Sequence, residues 1–396
     1  MARTAFGRRL AELRAERGLS LRALGELAHF SRGYLWDLEA GTKLPSPSSA
    51  ARIDQALSAG GQLATLASAA PSPLQQVEAL RQQVNDTVTN GGLAPAAVDD
   101  WERTAYGYGL ATRYQPAPAL LAALATDFAE LSGQLQRRHT SSVLRRLTRV
   151  TAEMAGLMFL TLVKLAEQDA ARAWARTARV AAAECGDSTL HSWVRAQEAY
   201  IHYYAGQYRE ALAVARHAHE LATHQPCVGG VLAAALEARA LGRLGQPDAA
   251  RAAIGSAEAI LAGLAADQVI ASAFGYNEAQ LRFHEGNALT HLNDVERAWA
   301  AQRRALELYP DSDYLDRTLV HLDRAACLAQ CGDTSAAMTY ATAALGPLRQ
   351  DERQGLLTSR GHEILRALPE RARALPPARE FQDLLMVGAG PERSEP

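Results

Sequence analysis

The chain has 396 residues, of which 48% are hydrophobic and 21% charged, and its formal net charge is −2. This length allows two or three domains, and this composition excludes a globally disordered or fibrous protein. Aromatic residues amount to only 6%, because alanine and leucine supply most of the apolar side chains. That choice favours helices over a β-sandwich.

The charge is distributed unevenly along the chain. Residues 1–70 carry nine basic and six acidic side chains, whereas the remainder carries 32 and 37. A basic N-terminal unit on an acidic body is therefore predicted. Four cysteines are too few for a disulfide framework, and no run of 18 apolar residues could span a membrane. We expect a reduced, cytoplasmic protein that does not contact the membrane.

Residues 1–69 are predicted to form a compact unit of five short helices. The first helix ends at Gly18, and Ser20 and Ser31 stand where N-caps of the second and third helices are expected. Gly41 ends the third helix. Two further apolar segments, separated by a pair of glycines, supply the fourth and fifth helices.

Residues 70–97 are predicted to form a linker. Pro71-Ser72-Pro73 begins it, and apolar residues at helical spacing from Val77 to Val88 predict one amphipathic helix. This helix is too short to indicate a coiled coil. It is either a spacer or a contact between two copies of the chain.

Residues 98–387 consist of successive helical patterns with an internal repeat. A small residue, followed five positions later by alanine and seven further on by another alanine, recurs at steps of 40, 39, 48 and 39 residues. The small residues are Ala166, Gly206, Gly245, Asn293 and Gly332. Such spacing lets paired helices approach closely and predicts a helical solenoid, with residues 388–396 as a disordered tail.

Two segments resemble known families. The segment from Leu19 to Gly41, LSLRALGELAHFSRGYLWDLEAG, followed by Pro45-Ser46-Pro47, resembles the Cro/repressor-type (XRE) helix-turn-helix. The repeats resemble tetratricopeptide repeats in longer copies, and the combination is similar to actinobacterial regulators and, more distantly, to Gram-positive receptors for peptide signals. The resemblance implies an all-α protein: a five-helix lambda-repressor-like domain followed by a tetratricopeptide-like α-solenoid.

The resemblance also implies a DNA-binding helix that begins after Ser31 and lies in the major groove. Arg32, Gly33 and Asp37 would face the bases, where Arg32 could donate to guanine and Asp37 could accept from cytosine. The remaining positions would lie near phosphates. The predicted DNA-binding residues are Arg22, Ser31, Arg32, Gly33, Tyr34, Asp37, Thr42 and Lys43.

Three positions depart from the family pattern. Leu21 stands where the family often has a glutamine that anchors a phosphate, and His29 replaces the glycine of the turn. Gly33 presents no side chain to the groove. These departures leave open a helix-turn-helix that has lost DNA binding and serves as a docking domain. In the family a glutamate at the position of Glu39 pairs with an arginine of the first helix, here Arg14.

A solenoid exposes a concave surface that is formed mainly by the first helix of each pair. Counting back from the repeat turns in the manner of the family predicts a surface with aromatic, arginine and amide side chains, which suits a peptide or a small molecule with a carboxylate. The alternative is that the tyrosines are core and the arginines solvated. The predicted ligand-binding residues are Trp193, Tyr200, Tyr203, Tyr204, Arg239, Arg243, Gln280, Asn287 and His291.

Other candidate sites lack the residues that their chemistry needs. Cys327 and Cys331 share a helix face but have no second ligand pair for zinc, so both are predicted to be core. His362 and Glu363 are adjacent and therefore diverge. No Walker, GxGxxG or GxSxG motif is present, so neither an enzyme nor a cofactor is expected.

The sequence thus predicts a transcriptional regulator that binds double-stranded operator DNA as a homodimer. Its solenoid would dimerise and sense a peptide or a small-molecule effector. The alternative is an interaction scaffold whose helix-turn-helix does not bind DNA.

Overall fold

A computed structural model of the protein describes residues 5–41, 43, 45–68, 93, 95–222 and 224–388. Within these ranges the chain forms 20 α-helices and one 3₁₀ turn, without a strand, so the predicted all-α class is confirmed. The helices divide into two compact units, residues 1–90 and 91–396. The predicted linker helix from Val77 to Val88 and the tail after Gly388 lie outside the described residues, and the predicted domain boundaries stay predictions.

In the N-terminal unit, the residues that the structure describes form five helices, as predicted for residues 1–69. Leu10, Leu24, Leu35 and Ile53 are fully buried at its centre, which matches one apolar face per helix. The helices are α1 (Ala5–Glu16), α2 (Leu21–Ala28), α3 (Arg32–Ala40), α4 (Pro47–Ala56) and α5 (Gln62–Ser68).

The ends of α2 and α3 are set by local hydrogen bonds. The side chains of Ser20 and Ser31 each accept from a backbone N–H three residues later, at 3.1 Å, so both predicted N-caps are confirmed. Gly41 ends α3 in the left-handed conformation (φ 77°) that glycine adopts without strain.

The described part of the C-terminal unit contains 15 helices, and from α6 to α17 each helix packs against the next one along the chain. The pairs α8/α9, α10/α11, α12/α13, α14/α15 and α16/α17 pack together, and the first helices of successive pairs also pack in a row. The helices are α6 (Pro95–Ala111), α7 (Ala117–Leu135), α8 (Ser141–Lys164), α9 (Gln168–Cys185), α10 (Ser188–Tyr204), α11 (Tyr208–Leu221), α12 (Val228–Arg243), α13 (Pro247–Ala262), α14 (Glu278–His291), α15 (Val295–Leu308), α16 (Tyr314–Gln330), α17 (Thr334–Leu345), α18 (Leu356–Ala367), α19 (Glu370–Arg373) and α20 (Pro376–Gly388).

The predicted repeat turns lie where these pairs join. All five small residues have positive φ, between 57° and 88°, and each ends the first helix of a pair. The alanines five positions later are fully buried, because they sit where the second helix crosses the first. The periodicity of the sequence therefore marked the helix pairs of the solenoid correctly.

The long 48-residue step contains an inserted loop, residues 263–277, between α13 and α14. The backbone N–H of Ala273 donates to the carbonyl of Gly109 in α6 at 2.9 Å. The indole N–H of Trp193 in α10 donates to the carbonyl of Ala273 at 2.7 Å. Phe274 packs on the Trp193 ring, with centroids 4.9 Å apart. The loop therefore lies across the row of first helices and is held against α6 and α10.

Candidate DNA-binding surface and ligand cavities

The first turn of α3 is presented to solvent. Arg32 and Gly33 are exposed, while Leu35, Leu38 and Glu39 on the opposite side are buried. A Cβ placed on Gly33 would meet no atom within 4 Å. Arg32 forms no ion pair with any residue that the structure describes. This end of α3 therefore has the exposure that a helix entering a major groove requires.

An ion pair between helices fixes the orientation of α3. Arg14 in α1 donates from Nε and Nη2 to the two oxygens of Glu39, at 2.6 and 3.0 Å. Its Nη1 donates to the carbonyl of Leu19, two residues before α2, at 2.9 Å. Hydrogen bonding to Glu39 raises the pKa of Arg14 against the effect of burial. The predicted Arg14–Glu39 pair is confirmed, and it joins α1, α2 and α3.

The turn between α2 and α3 contains the departure from the family pattern at His29. Its backbone adopts the left-handed conformation, φ 54° and ψ 48°, which costs a non-glycine residue about 1–2 kcal/mol. Arg52 of α4 offsets this strain, because its Nη2 donates to the carbonyls of Ala28 and His29 at 3.0 and 3.3 Å. The guanidinium also lies 4.5 Å from the centroid of the Phe30 ring.

The other predicted DNA contacts are found on the same unit. Asp37 and Lys43 form an ion pair of 2.6 Å, so each already has a partner from the protein. Arg22 is exposed and pairs with Glu26 at 3.2 Å, and Tyr34 is half-buried. Thr42 lies outside the described residues. That these residues contact DNA remains a prediction.

Two adjoining cavities lie among the first helices of the repeats. The arginine–aromatic cavity, of about 90 Å³, is bounded by α8, α10, α12, α14, α16, the start of α18, the residues that follow α6 and the inserted loop. The ion-pair cavity, of about 360 Å³, is bounded by α10, the start of α11, α12, α14, α16 and α18. Their shared wall consists of Tyr204, Arg239, Phe283, Leu319 and Leu356.

Most of the predicted ligand-binding residues border these cavities. Tyr200 and Gln280 line the arginine–aromatic cavity, and Tyr203, Arg243 and Asn287 line the ion-pair cavity. Tyr204 and Arg239 line both. A ligand at these residues stays a prediction.

Trp193 and His291 line neither of these two cavities, and a role for them in ligand binding stays a prediction. The inserted loop covers Trp193, which is only 3% exposed and faces neither cavity. His291 lies at the end of α14, and its Nε2 is buried without a hydrogen-bond partner among the described residues. Counting along a regular repeat cannot anticipate either an extra loop or a side chain that turns into the protein.

Arg239 is the central side chain of the shared wall. It is 2% exposed, and its guanidinium lies 4.3 Å from the Tyr203 ring centroid and 5.5 Å from that of Tyr204. Its Nε donates to Oδ1 of Asn287 at 2.9 Å. No described carboxylate lies within ion-pair distance, and its buried Nη1 has no described partner. A buried cation without a counter-ion is costly, so this group is a candidate anion-binding site.

The side chain of Asn287 positions its neighbours. Its Oδ1 accepts from the Tyr203 hydroxyl at 2.8 Å as well as from Arg239, and its Nδ2 donates to Oδ2 of Asp323 at 2.8 Å. These bonds occupy most of the amide. Asn287 therefore holds Arg239 in place and has little hydrogen-bonding capacity left for a ligand.

Two arginines of the ion-pair cavity are neutralised by Asp323 and Glu363, acids that the sequence did not predict to lie at this site. Arg360 donates to Oδ1 of Asp323 at 2.7 Å and to Glu363 at 2.8 Å. Arg243 also binds Glu363 through both terminal nitrogens. Burial opposes ionisation of Glu363, but the two arginines outweigh it and lower its pKa to about 2. Arg243 and Glu363 are 120 positions apart, so no local pattern links them.

A second group of charges lies at the α6 side of the arginine–aromatic cavity. Arg113 pairs with Asp316 at 2.6 Å. Lys164 donates to the carbonyl of Thr112 at 2.6 Å. Burial, assisted by Arg113, lowers the pKa of Lys164 to about 8. Burial and the neighbouring Asp316 raise the pKa of Asp313 to about 7.

The lowered pKa of Lys164 predicts a measurable titration. The chain has only two lysines, Lys43 and Lys164, so ¹³C-labelled lysine should give two NMR resonances. We expect one midpoint near pH 8 that disappears in Lys164→Met and persists in Lys43→Met. Because the unfolded chain keeps its proton up to about pH 10.4, stability should rise between pH 8 and 10.4 in the wild type more than in Lys164→Met. A Lys164 midpoint above pH 10 would contradict this prediction.

The cysteines divide between core and surface. Cys327 is fully buried in α16, as predicted, whereas Cys331 is exposed, because α16 ends at Gln330 and Cys331 is its C-cap. The prediction that Cys331 belongs to the core was wrong. Among the described residues, no three His, Cys, Asp or Glu side chains form a group that could hold a metal ion.

Comparison with known proteins identifies the N-terminal unit. Residues 5–67 match the family model of a helix-turn-helix domain, which covers α1 to α4 and nearly all of α5. No curated protein and no solved structure matched the chain. None of the described helices is long and apolar enough to cross a lipid bilayer. The chain thus carries a helix-turn-helix domain of the kind found in DNA-binding regulators, and the tetratricopeptide resemblance of the body stays a prediction.

Proposed function

We propose that the protein is a sequence-specific transcriptional regulator that binds operator DNA as a homodimer and senses a peptide or small molecule through its helical body. The observation that carries this proposal is the exposed first turn of α3, held in place by the Arg14–Glu39 pair within a domain that matches the helix-turn-helix family. The proposal includes no catalytic step.

Arg32 is the side chain on which DNA recognition depends most strongly in this proposal. It is exposed at the first position of α3, and an arginine there can bond O6 and N7 of guanine together. Gly33 beside it lets the backbone come close to the bases, since nothing projects from the helix at that point. Asp37 would have to exchange Lys43 for a cytosine amino group, which makes its contribution smaller than that of Arg32.

A homodimer would place two copies of α3 in successive major grooves. The half-sites would then lie about 34 Å apart, one turn of the double helix. An effector can change DNA affinity only if it binds two arrangements of the body with different affinity. A coupling free energy of about 1–3 kcal/mol between effector binding in the body and DNA binding by the helix-turn-helix domains would suffice for regulation.

The proposal is tested by a gel mobility-shift assay with the promoter DNA next to the gene that encodes this protein, at low and at moderate salt. We expect the wild type to bind and its affinity to fall steeply with salt. Arg32→Ala should weaken binding about 5- to 150-fold, because a bidentate contact to guanine contributes about 1–3 kcal/mol. Arg251→Ala removes an arginine from the exposed side of α13 and should bind like the wild type. Equal DNA affinity of the Arg32→Ala and Arg251→Ala variants would show that α3 does not read the DNA. No DNA binding by the wild type at low salt would favour the interaction-scaffold alternative.

A further inference from the structure

We propose that the arginine–aromatic cavity is the effector site and that its ligand is a small organic acid with an apolar body, whose carboxylate binds Arg239 and the hydroxyl of Tyr200. This inference rests on the proposed sensing function and narrows it, because it selects one class of ligand from peptides and small molecules. It follows from three observations on the walls of this cavity.

The first observation is the unsatisfied charge of Arg239. The side chain is 2% exposed, has no described counter-ion and keeps its buried Nη1 without a hydrogen bond. Its other contacts fix the guanidinium in one position: Nε donates to Asn287, Nη2 donates to the Tyr204 hydroxyl at 3.4 Å, and the group lies over the rings of Tyr203 and Tyr204. By contrast, Arg243 and Arg360 in the neighbouring cavity already bind carboxylates of the protein. An incoming carboxylate would supply the counter-ion that Arg239 lacks, through the charge-assisted hydrogen bonds that guanidinium groups form best.

The second observation concerns the protons of three linked side chains. Tyr276 is fully buried, and its hydroxyl lies 2.7 Å from Nδ1 of His284. Nε2 of the same ring lies 2.9 Å from the hydroxyl of Tyr200. Burial and nearby arginines hold the pKa of His284 far below its ordinary value, so the ring is neutral and carries one proton.

The placement of that proton follows from burial. The Tyr276 hydroxyl has only His284 as a described partner, so it donates to Nδ1, and the ring proton is on Nε2. Nε2 then donates to the oxygen of Tyr200. The Tyr200 hydroxyl therefore does not use its own proton in the bond with His284 and can donate it to a ligand. Tyr200 lines the cavity beside Arg239. A carboxylate in the cavity could therefore accept hydrogen bonds from the Tyr200 hydroxyl and the Arg239 guanidinium at the same time.

The third observation is the character of the remaining walls. Between its polar groups the cavity is lined by seven aliphatic or aromatic hydrocarbon side chains, which favour an apolar ligand body. The cavity is small, about 90 Å³, and the inserted loop bounds it at Ser272 and Ala273, which leaves little room for an extended peptide. The apolar side chains are Leu160, Val163, Leu232, Phe283, Leu315, Leu319 and Leu356.

These walls also argue against a phosphate ligand. Lys164 and Arg113 are present, but Arg113 is neutralised by Asp316, and Lys164 lies near both Asp313 and Asp316. The one fully buried cation without a described acid beside it is Arg239. A single negative charge with an apolar body fits this environment better than a strongly hydrated dianion.

The test is calorimetric titration of the full-length protein with octanoate and phenylacetate, each compared with its neutral amide and with inorganic phosphate. We expect at least one of the two acids to bind, and its amide to bind at least about tenfold more weakly. Arg239→Gln should weaken acid binding about 100-fold and Tyr200→Phe about tenfold. Arg251→Gln, on the exposed side of α13, should bind like the wild type.

Tyr200→Phe keeps the ring and its packing, so it tests the site even if Arg239→Gln fails to fold, and thermal unfolding of each variant establishes that it is folded. Equal affinity for an acid and its amide, tighter binding of phosphate, or unchanged affinity in Tyr200→Phe would overturn the proposal. So would the absence of binding by both acids at millimolar concentration. DNA retardation by the same preparations separates the two proposals, because loss of acid binding with intact DNA binding rejects only the effector class.

Discussion

Replacing Arg14 with alanine is expected to unfold the helix-turn-helix unit in a large fraction of molecules. The side chain of Glu39 is only 9% exposed and that of Arg14 22%, and removal of one partner leaves the other charge without compensation. Breaking such a pair costs about 3–5 kcal/mol when it is buried. A unit of this size has a total stability of only about 3–10 kcal/mol, so the loss takes a large share of it. DNA binding should be lost together with the fold.

Hydrogen exchange followed by mass spectrometry measures this effect, because it reports the two units of the chain separately. Amide protons of α1, α2 and α3 should exchange much faster in Arg14→Ala, while those of α8 to α16 should be unchanged. Arg22→Ala is the matched control for stability, since its pair with Glu26 is 85% and 70% exposed and should contribute little. Equal protection of α3 in both variants would show that the Arg14–Glu39 pair does not stabilise the domain.

The second large effect is expected at Gly229, where α12 crosses α10. A Cβ at this position would lie 2.4 Å from the backbone nitrogen of Trp193 and 2.6 Å from the carbonyl carbon of Ser192. Backbone atoms cannot move aside as a flexible side chain can, so Gly229→Ala should push two repeats apart. Overpacking of this kind costs about 1–3 kcal/mol or more.

Substitution of Gly255 by alanine is expected to change the stability of the body in the opposite direction. It lies on the outer side of α13, and a Cβ there would meet no atom within 4 Å. Gly255→Ala should stabilise the body by about 0.5–1 kcal/mol, because alanine loses less backbone freedom in a helix. Thermal unfolding followed by circular dichroism compares the two variants. Shifts of the melting temperature in the same direction for Gly229→Ala and Gly255→Ala would contradict this packing of the helices.

The N-terminal unit could be predicted almost completely from the sequence because its signals are local. Serine caps, a left-handed residue at the turn and apolar residues on one face of each helix all lie within a few positions of what they determine. The Arg14–Glu39 pair is longer in range, and it was predicted only through the family resemblance. How Arg52 supports the turn at His29 had no local signal, because α4 approaches the turn through the fold alone.

In the body, the repeat turns could be predicted from the sequence, but the contacts between different repeats could not. Most of the repeat turns follow from glycine or asparagine at regular spacing, since these residues tolerate the left-handed geometry, and the alanines after them allow the close crossing of helices. The longer step between Gly245 and Asn293 revealed extra residues but not that they would cover Trp193. The pairing of Arg243 with Glu363, and the lack of an acid beside Arg239 among the described residues, depend on residues from different repeats that meet only after the solenoid forms.

The central claim, that α3 reads DNA in the major groove, is tested most directly by guanine N7 methylation interference on duplex DNA selected for binding to the full-length protein. N7 faces the major groove and is the atom that Arg32 would contact. We predict two groups of interfering guanines about 34 Å apart, and the loss of interference at one guanine of each group in Arg32→Ala. Binding that tolerates N7 methylation throughout the site, or an unchanged pattern in Arg32→Ala, would contradict the claim.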